Sequence, residues 1–407
     1  MKKIITLISL ICLGWFAAVS AEENVETISD MFRNGETSGS LRSYYFTQTF
    51  DDDGTEDSAI WAYGGNLKYV TGQFYGVKAG ANVQGSFIGY KDDEDNKTAG
   101  SMDAHGAVLS EAYLEYQYDQ TRVKGGRQYV KLPLIAGSGS RLIHESFESY
   151  LLTNGDIPGT QITAGWVRKY QTRTDKSNYS DNWFVDFETN GTGDPGDFYK
   201  IGDNGMYLLH LTNNLVPNLE VQVQYANVVD EVAGFYGDAK YQFDTALKPY
   251  VAGQYYYTDY DDSGNDNNYL YGLKTGIRFH DVDLFAGLTS AGGSEGDARV
   301  FRGVGQGAYY QYTATTKTAG VGAFEAGTDA YQLGIGYKYK DFSGKLRFTD
   351  FDNPAADADL REYTLNLFYN LGGFFKGLTA SADFSVLDYE NDSKDATDLR
   401  TRVIWEF

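Results

Sequence analysis

Lys274, Arg278, Lys345, Arg347, Arg400 and Arg402 stand at even spacing in short stretches whose intervening positions are leucine, isoleucine, valine, phenylalanine or threonine. Cations gathered on one face in this way can relay a carboxylate, arginine as a two-pronged donor and lysine as a point charge. Arg42, Lys68, Lys78, Arg122, Lys124, Lys240, Lys338 and Lys340 occupy equivalent positions, while the acids there are fewer: Glu111, Glu115, Glu220, Asp238, Asp283, Glu362, Asp383 and Glu406. Catalytic chemistry has a thinner basis. The chain has four histidines, His105, His144, His210 and His280, and none sits in a nucleophile–base motif. His210, on the polar side of its stretch, and His144 are the two that could serve, so catalysis ranks below relay.

Such a face needs elements of period two. Leu219, Val221, Val223 and Tyr225 alternate with Glu220, Gln222 and Gln224, and the same pattern recurs at Val77–Gln84, Tyr331–Lys340 and Tyr363–Tyr369. Alternation of this kind specifies β-strands with one apolar and one polar face. The chain ends on one: Leu399, Thr401, Val403, Trp405 and Phe407 oppose Arg400, Arg402, Ile404 and Glu406. An apolar and aromatic row opposed by charge suits a strand between lipid and water. The ending also resembles the terminal signature of bacterial outer-membrane β-barrels, which implies the barrel-assembly machinery as a partner.

Export fits this reading. Lys2 and Lys3 precede an apolar run from Ile4 to Ala18 and small residues to Ala21, so residues 1–21 read as a cleaved secretory signal. The only cysteine, Cys12, lies inside it. The mature chain therefore has no disulfide and needs another source of stability, such as a closed backbone ladder. Beyond the signal no run approaches the length of a membrane helix. Aromatic residues make up 15% of the chain, 34 of them tyrosines concentrated near strand ends, which favours an interfacial girdle over a soluble β-sandwich. The six prolines lie between alternating runs or at the start of one.

Seventeen alternating runs can be read from Leu41 to Phe407. Bacterial single-chain barrels have even strand numbers, and counting inward from both ends locates the discrepancy between Val130 and Thr160. A weakly patterned strand around Ser146–Asn154, turning at Gly155–Gly159, restores parity. The expected fold is thus all-β: a transmembrane antiparallel barrel of about 18 strands over residues 39–407, wide enough for a water-filled lumen. Residues 22–38 form a short periplasmic lead-in, in which Ile28, Met31 and Phe32 are spaced for one helical turn. Lys176–Asn204 and Ala291–Thr328 are the longest external loops.

The net charge of −22 by itself points to a cation channel, but its location changes that. The excess acid falls in predicted external loops: Asp51–Asp53 with Glu56 and Asp57, Asp92–Asp95, Asp259–Asp266, Asp352–Asp359 and Glu390–Asp395. An incoming solute would meet an acidic mouth and then a basic wall. Asp259–Gly264 partly matches a calcium loop, yet its twelfth position is Leu270, so the bidentate carboxylate is missing.

The stretch Lys131–Val167 is the most specific. Lys131-Leu132-Pro133, Arg141-Leu142 and Phe147, preceded by Gly126-Arg127-Gln128, resemble the OprD family of outer-membrane porins. The resemblance implies an 18-stranded barrel, an inward-folded constriction loop, a row of arginines and lysines on the wall, and uptake of small carboxylate-bearing nutrients. It also gives Arg127, Lys131 and Arg141 a place at the constriction. Plain alternation from Val123 points Arg127 at lipid, and a bulge at Gly125-Gly126 would turn it inward. One departure stands out: His144 takes the place of the family's usual proline after Arg-Leu and one apolar residue. The expected protein is a passive, selective diffusion channel of the Gram-negative outer membrane for carboxylate-bearing or amphoteric solutes. Its guiding residues would be Arg127, Lys131, Arg141, Lys274, Lys345, Arg347, Arg400 and Arg402. No cofactor, catalytic residue, metal or nucleic acid is expected; the partners are small hydrophilic solutes and ions, outer-membrane lipid and lipopolysaccharide, with a homotrimer left open. A non-specific porin is the main rival, followed by a barrel enzyme and a filled adhesin barrel; small water-facing residues such as Gly80, Ser86, Gly334 and Gly336 favour an open lumen.

Overall fold

A computed structural model describes residues 25–52, 54–92, 105–173, 185–186, 196–261, 266–313, 321–355 and 358–407. The signal segment 1–21, the start of the lead-in and parts of the acidic loops lie outside the described residues.

The alternating stretches are the strands of a closed antiparallel barrel of 18 strands. Each pairs with its sequence neighbours, and the first strand, Glu36–Phe50, pairs with the last, Ala396–Glu406, from Ser40 opposite Glu406 to Phe50 opposite Ala396. Closure leaves no unpaired edge, which is how a chain without disulfides satisfies its backbone in lipid. Among the described residues no helix is long and apolar enough to cross a membrane. A short helix, Ile28–Arg33, capped by the Thr27 hydroxyl accepting from Asp30 N, precedes the barrel and docks on the first turn, where Gly72 N donates to Met31 O. The first strand begins at Glu36, a little before the boundary expected at residue 39.

The strand needed for parity is present as Ser146–Asn154, paired with Thr121–Gln128 and Thr160–Gln171. Its weak alternation has a physical reason. Tyr150 and Leu152 face outward and exposed, but Phe147 is fully buried on the inner side and Leu151 packs against the same core. Most of the barrel has a polar inner face; this wall is covered by protein and is apolar on both faces.

The covering comes from two segments, not one. After Gln128 the chain leaves the wall, and Lys131–Leu132 pairs antiparallel with Ile135–Ala136. Val304–Gly305, from within the stretch expected to be an external loop, then adds in parallel to Ile135–Ala136. The small sheet is held to inward-facing wall residues: Leu134 N donates to Gln224 Oε1 at 2.8 Å, Phe301 N to Thr258 Oγ1 at 2.8 Å, and Tyr256 Oη to Ala308 O at 2.6 Å. Glycine and threonine content hid this behaviour of residues 300–313. Val300, Phe301 and Val304 are all buried, and burying them is what draws the segment inward. Gly303 and Gly305 permit the approach. Both have positive φ (94° and 80°), and a Cβ on either would stand 2.3 Å from a carbonyl oxygen of Leu134 or Ala136.

Candidate functional site: lysines and arginines on the inner face

Register places Lys274, Lys345, Arg347, Arg400 and Arg402 on one continuous inner face. Lys274 lies opposite Gly287, Lys345 opposite Gly336 and Asn366, Arg347 opposite Gly334 and Thr364, and Arg400 opposite Asp383. Residues paired directly across strands share a face, and the intervening Leu273, Leu333, Leu346 and Val403 are exposed on the outer side. Glycine opposite three of the cations leaves the long side chains room in the lumen.

Aromatic rings and amides fix these cations in place. The Lys274 and Lys345 ammonium groups lie 5.0 and 5.6 Å from the centroid of the same ring, Phe285. Lys274 is also 5.8 Å from Tyr310, and the Arg347 guanidinium 5.7 Å from Tyr312; both tyrosines belong to the second inward segment. Tyr310 Oη donates to Asp238 at 2.5 Å, tying that segment to the strand Val232–Gln242, two strands from that of Lys274. Arg347 donates to Asn366, Asn366 Nδ2 donates to Asp383 at 2.7 Å, and Arg402 Nη1 meets the other Asp383 oxygen at 2.7 Å. One carboxylate thus anchors a network that spans four strands and holds two guanidinium groups. Cations held in this way are pre-oriented.

The first inward segment adds Arg141, 8% exposed. Its guanidinium is pushed below the ordinary arginine value by burial, with Arg173, Arg400 and Arg402 adding like-charge repulsion and Tyr44 acting against it. Arg173, which sequence reasoning passed over, pairs with Glu145 at 3.2 Å and donates to the Ser138 and Ser140 hydroxyls at 2.6 and 2.5 Å. His144, in the place of the family's proline, is tightly held. Its N–H donates to Gln84 Oε1 at 2.9 Å, its carbonyl accepts from Gln84 and Gln171 at 2.9 and 3.0 Å, and its ring stacks on Tyr129 at 4.2 Å. A proline could not make the first of these bonds.

Two expected constriction residues are placed apart from this row. Lys131 is exposed on the small inner hairpin, opposite Ala136. At Arg127 no register shift accompanies Gly125-Gly126: the pairing runs unbroken, with Gly126 in a left-handed conformation (φ 118°) and Arg127 opposite Ala112 and Glu148. The Arg127 guanidinium lies 4.1 Å from the Phe198 ring and donates to Leu109 O at 3.2 Å. These partners are wall and loop residues, so Arg127 joins neighbouring parts of the wall. What sequence reasoning missed most was Tyr310 and Tyr312, although a tyrosine cluster inside a glycine-rich loop was a readable sign of a buried role.

The family model of the OprD outer-membrane porins matches residues 30–345. The chain belongs to the OprD family of outer-membrane porins. It is an outer-membrane protein of Gram-negative type and its class is that of a transport channel. The fold is similar to that of Acinetobacter baumannii OccAB4, at 17% identity and a TM-score of 0.76, covering 92% of this chain and 98% of that one. Pseudomonas aeruginosa OpdO gives 16% identity and a TM-score of 0.75, with 93% and 98% covered. P. aeruginosa OpdK, solved with vanillate, gives 14% identity and a TM-score of 0.72, with 93% and 99% covered. None of the curated proteins matches this chain.

Proposed function

We propose that this OprD-family porin is a passive channel selective for small carboxylate-bearing or amphoteric solutes. The observation that carries the reading is the run of fixed cations, Lys274, Lys345, Arg347 and Arg402, along one inner wall beside the tyrosines of the inward segments. A solute passing the constriction exchanges part of its hydration for ammonium and guanidinium donors, and several such sites along the wall let it leave each one for the next. Asp238, held by Tyr310 two strands from Lys274, offers a position for the positive end of an amphoteric solute. The acidic outer loops serve as a vestibule that screens and sorts by charge. OpdK, with vanillate bound, is a relative of the same fold whose ligand is named; an aromatic carboxylate belongs among the solutes to test.

The test is a bilayer reversal potential under a salt gradient, followed by titration with acidic, basic and neutral metabolites. Carboxylates should reduce ion conductance at concentrations where neutral analogues do not. A cation preference that survives neutralising the loop acids, with no blockage by any carboxylate, would exclude the basic-wall reading. Equal passage of all three classes would identify a general porin.

A further inference from the structure

Arg400 does not fit a role as a stepping stone in the water-filled path. Its residue is 4% exposed, and its Nε and Nη2 atoms have no hydrogen-bond partner among the described residues. Neighbouring Arg402 and Arg173 have carboxylates, Asp383 and Glu145; Asp383, directly opposite Arg400, is already engaged by Asn366 and Arg402. Nε–H and Nη2–H form one edge of the guanidinium, two parallel donors aimed the same way. Leaving both unmet inside protein is costly.

The surroundings deepen the imbalance. Arg402 lies two residues along the same face, its guanidinium 5.1 Å from the Tyr44 ring, and Phe46, opposite Arg400 on the first strand, packs with Tyr44. Arg141 reaches the node because the next residue, Leu142, packs with Tyr44 and Phe46 of the first strand, and Arg42 Nη1 reaches Leu142 O at 3.5 Å. Tyr44 and Phe46 stand opposite Arg402 and Arg400, so packing Leu142 on them brings Arg141 to the place where the first inward segment meets the wall, and the unmet edge belongs to the most buried of the three arginines.

We propose that the Arg141–Arg400–Arg402 node is a binding site for a small monovalent inorganic anion, chloride in chloride-rich media, held as a fixed constituent that fastens the constriction segment to the wall. The site is too enclosed for rapid passage. The anion supplies the partner that the Nε–Nη2 edge of Arg400 lacks, so the inward segment is seated by a counter-ion as well as by Leu142. This goes beyond the carboxylate reading and does not rest on it.

The test uses the full-length purified porin. In crystals grown with sodium bromide as the salt, the anomalous map should show bromide within hydrogen-bonding reach of Arg400 Nε and Nη2. In detergent at constant ionic strength, replacing bulky gluconate by chloride should raise the unfolding midpoint of the native protein and leave that of Arg400→Gln unmoved. Should Arg400→Gln fail to assemble, Arg400→Lys, which keeps the charge and loses the fork, should need roughly tenfold more chloride for the same rise. A bromide map empty at Arg400, or an equal chloride response in native and variant protein, overturns the proposal. A bromide at Arg400 in a channel indifferent to carboxylates would sustain it while removing the transport reading.

Discussion

His144 shows how one residue can set the behaviour of the constriction. Burial is the main influence on its ring and lowers its pKa, with the bond to Gly137 O and the charges of Glu145 and Glu111 acting against it and Arg42 with it. A base whose folded pKa lies below its unfolded value of about 6.5 binds protons more readily when unfolded. The stability it contributes is therefore present above that value and lost progressively as the pH falls below it. Unfolding followed by melting between neutral and mildly acidic pH should show this loss, and His144→Gln should flatten the profile over the same range. His144→Pro, which restores the family's usual residue, removes the donor to Gln84 and should cost about 1–3 kcal/mol in a melt rather than gain stability. For the lysines the scale is smaller: Lys274→Ala with Lys345→Ala removes two wall charges, each worth about 1 kcal/mol to a passing anion at 4 Å in water. The reversal potential should move toward cations, and half-blocking carboxylate concentrations should rise by about fivefold or more.

At the level of elements, the inner sheet depends on backbone approach more than on side-chain contact. Gly305→Ala places a Cβ against Ala136 O in a left-handed conformation, a strain of about 1–2 kcal/mol before any clash is counted. The expected result is a loosened pairing of the two inward segments, read in single-channel records as larger or noisier conductance with the barrel's melting little changed. The Ser146–Asn154 strand illustrates what sequence reading can and cannot recover. Parity demanded a strand there, because a barrel must return its chain to the starting side. Its own residues gave little sign, since Phe147 and Leu151 are apolar on the face that elsewhere is polar. The covering segment that makes them so includes residues 300–305, far away in sequence, and no local pattern reports such a partner.

For the whole molecule, the two faces of the barrel should tolerate charge very differently. Leu333 is 60% exposed on the outer face, and Leu333→Arg should cost about 2–4 kcal/mol of barrel stability near the bilayer midplane. Gly336→Arg, three residues on and facing the lumen, should leave assembly intact and alter conductance instead; heat-modifiability on gels with bilayer recordings separates the two outcomes. The sequence by itself determined the period-two faces, the closing strand at Phe407, the strand number through parity, and the row Lys274, Lys345, Arg347, Arg400 and Arg402 on the inner side. Those follow from local geometry: alternation fixes the face, and closure fixes the count. Only the tertiary structure decided that two segments, not one, fold inward, that Arg127 joins the wall, that Tyr310 and Tyr312 stand over the cations, and that Arg400 is buried with one donor edge unmet. Each of these is a contact between residues distant along the chain, made by burying apolar or charged groups against partners that no spacing within a single strand specifies.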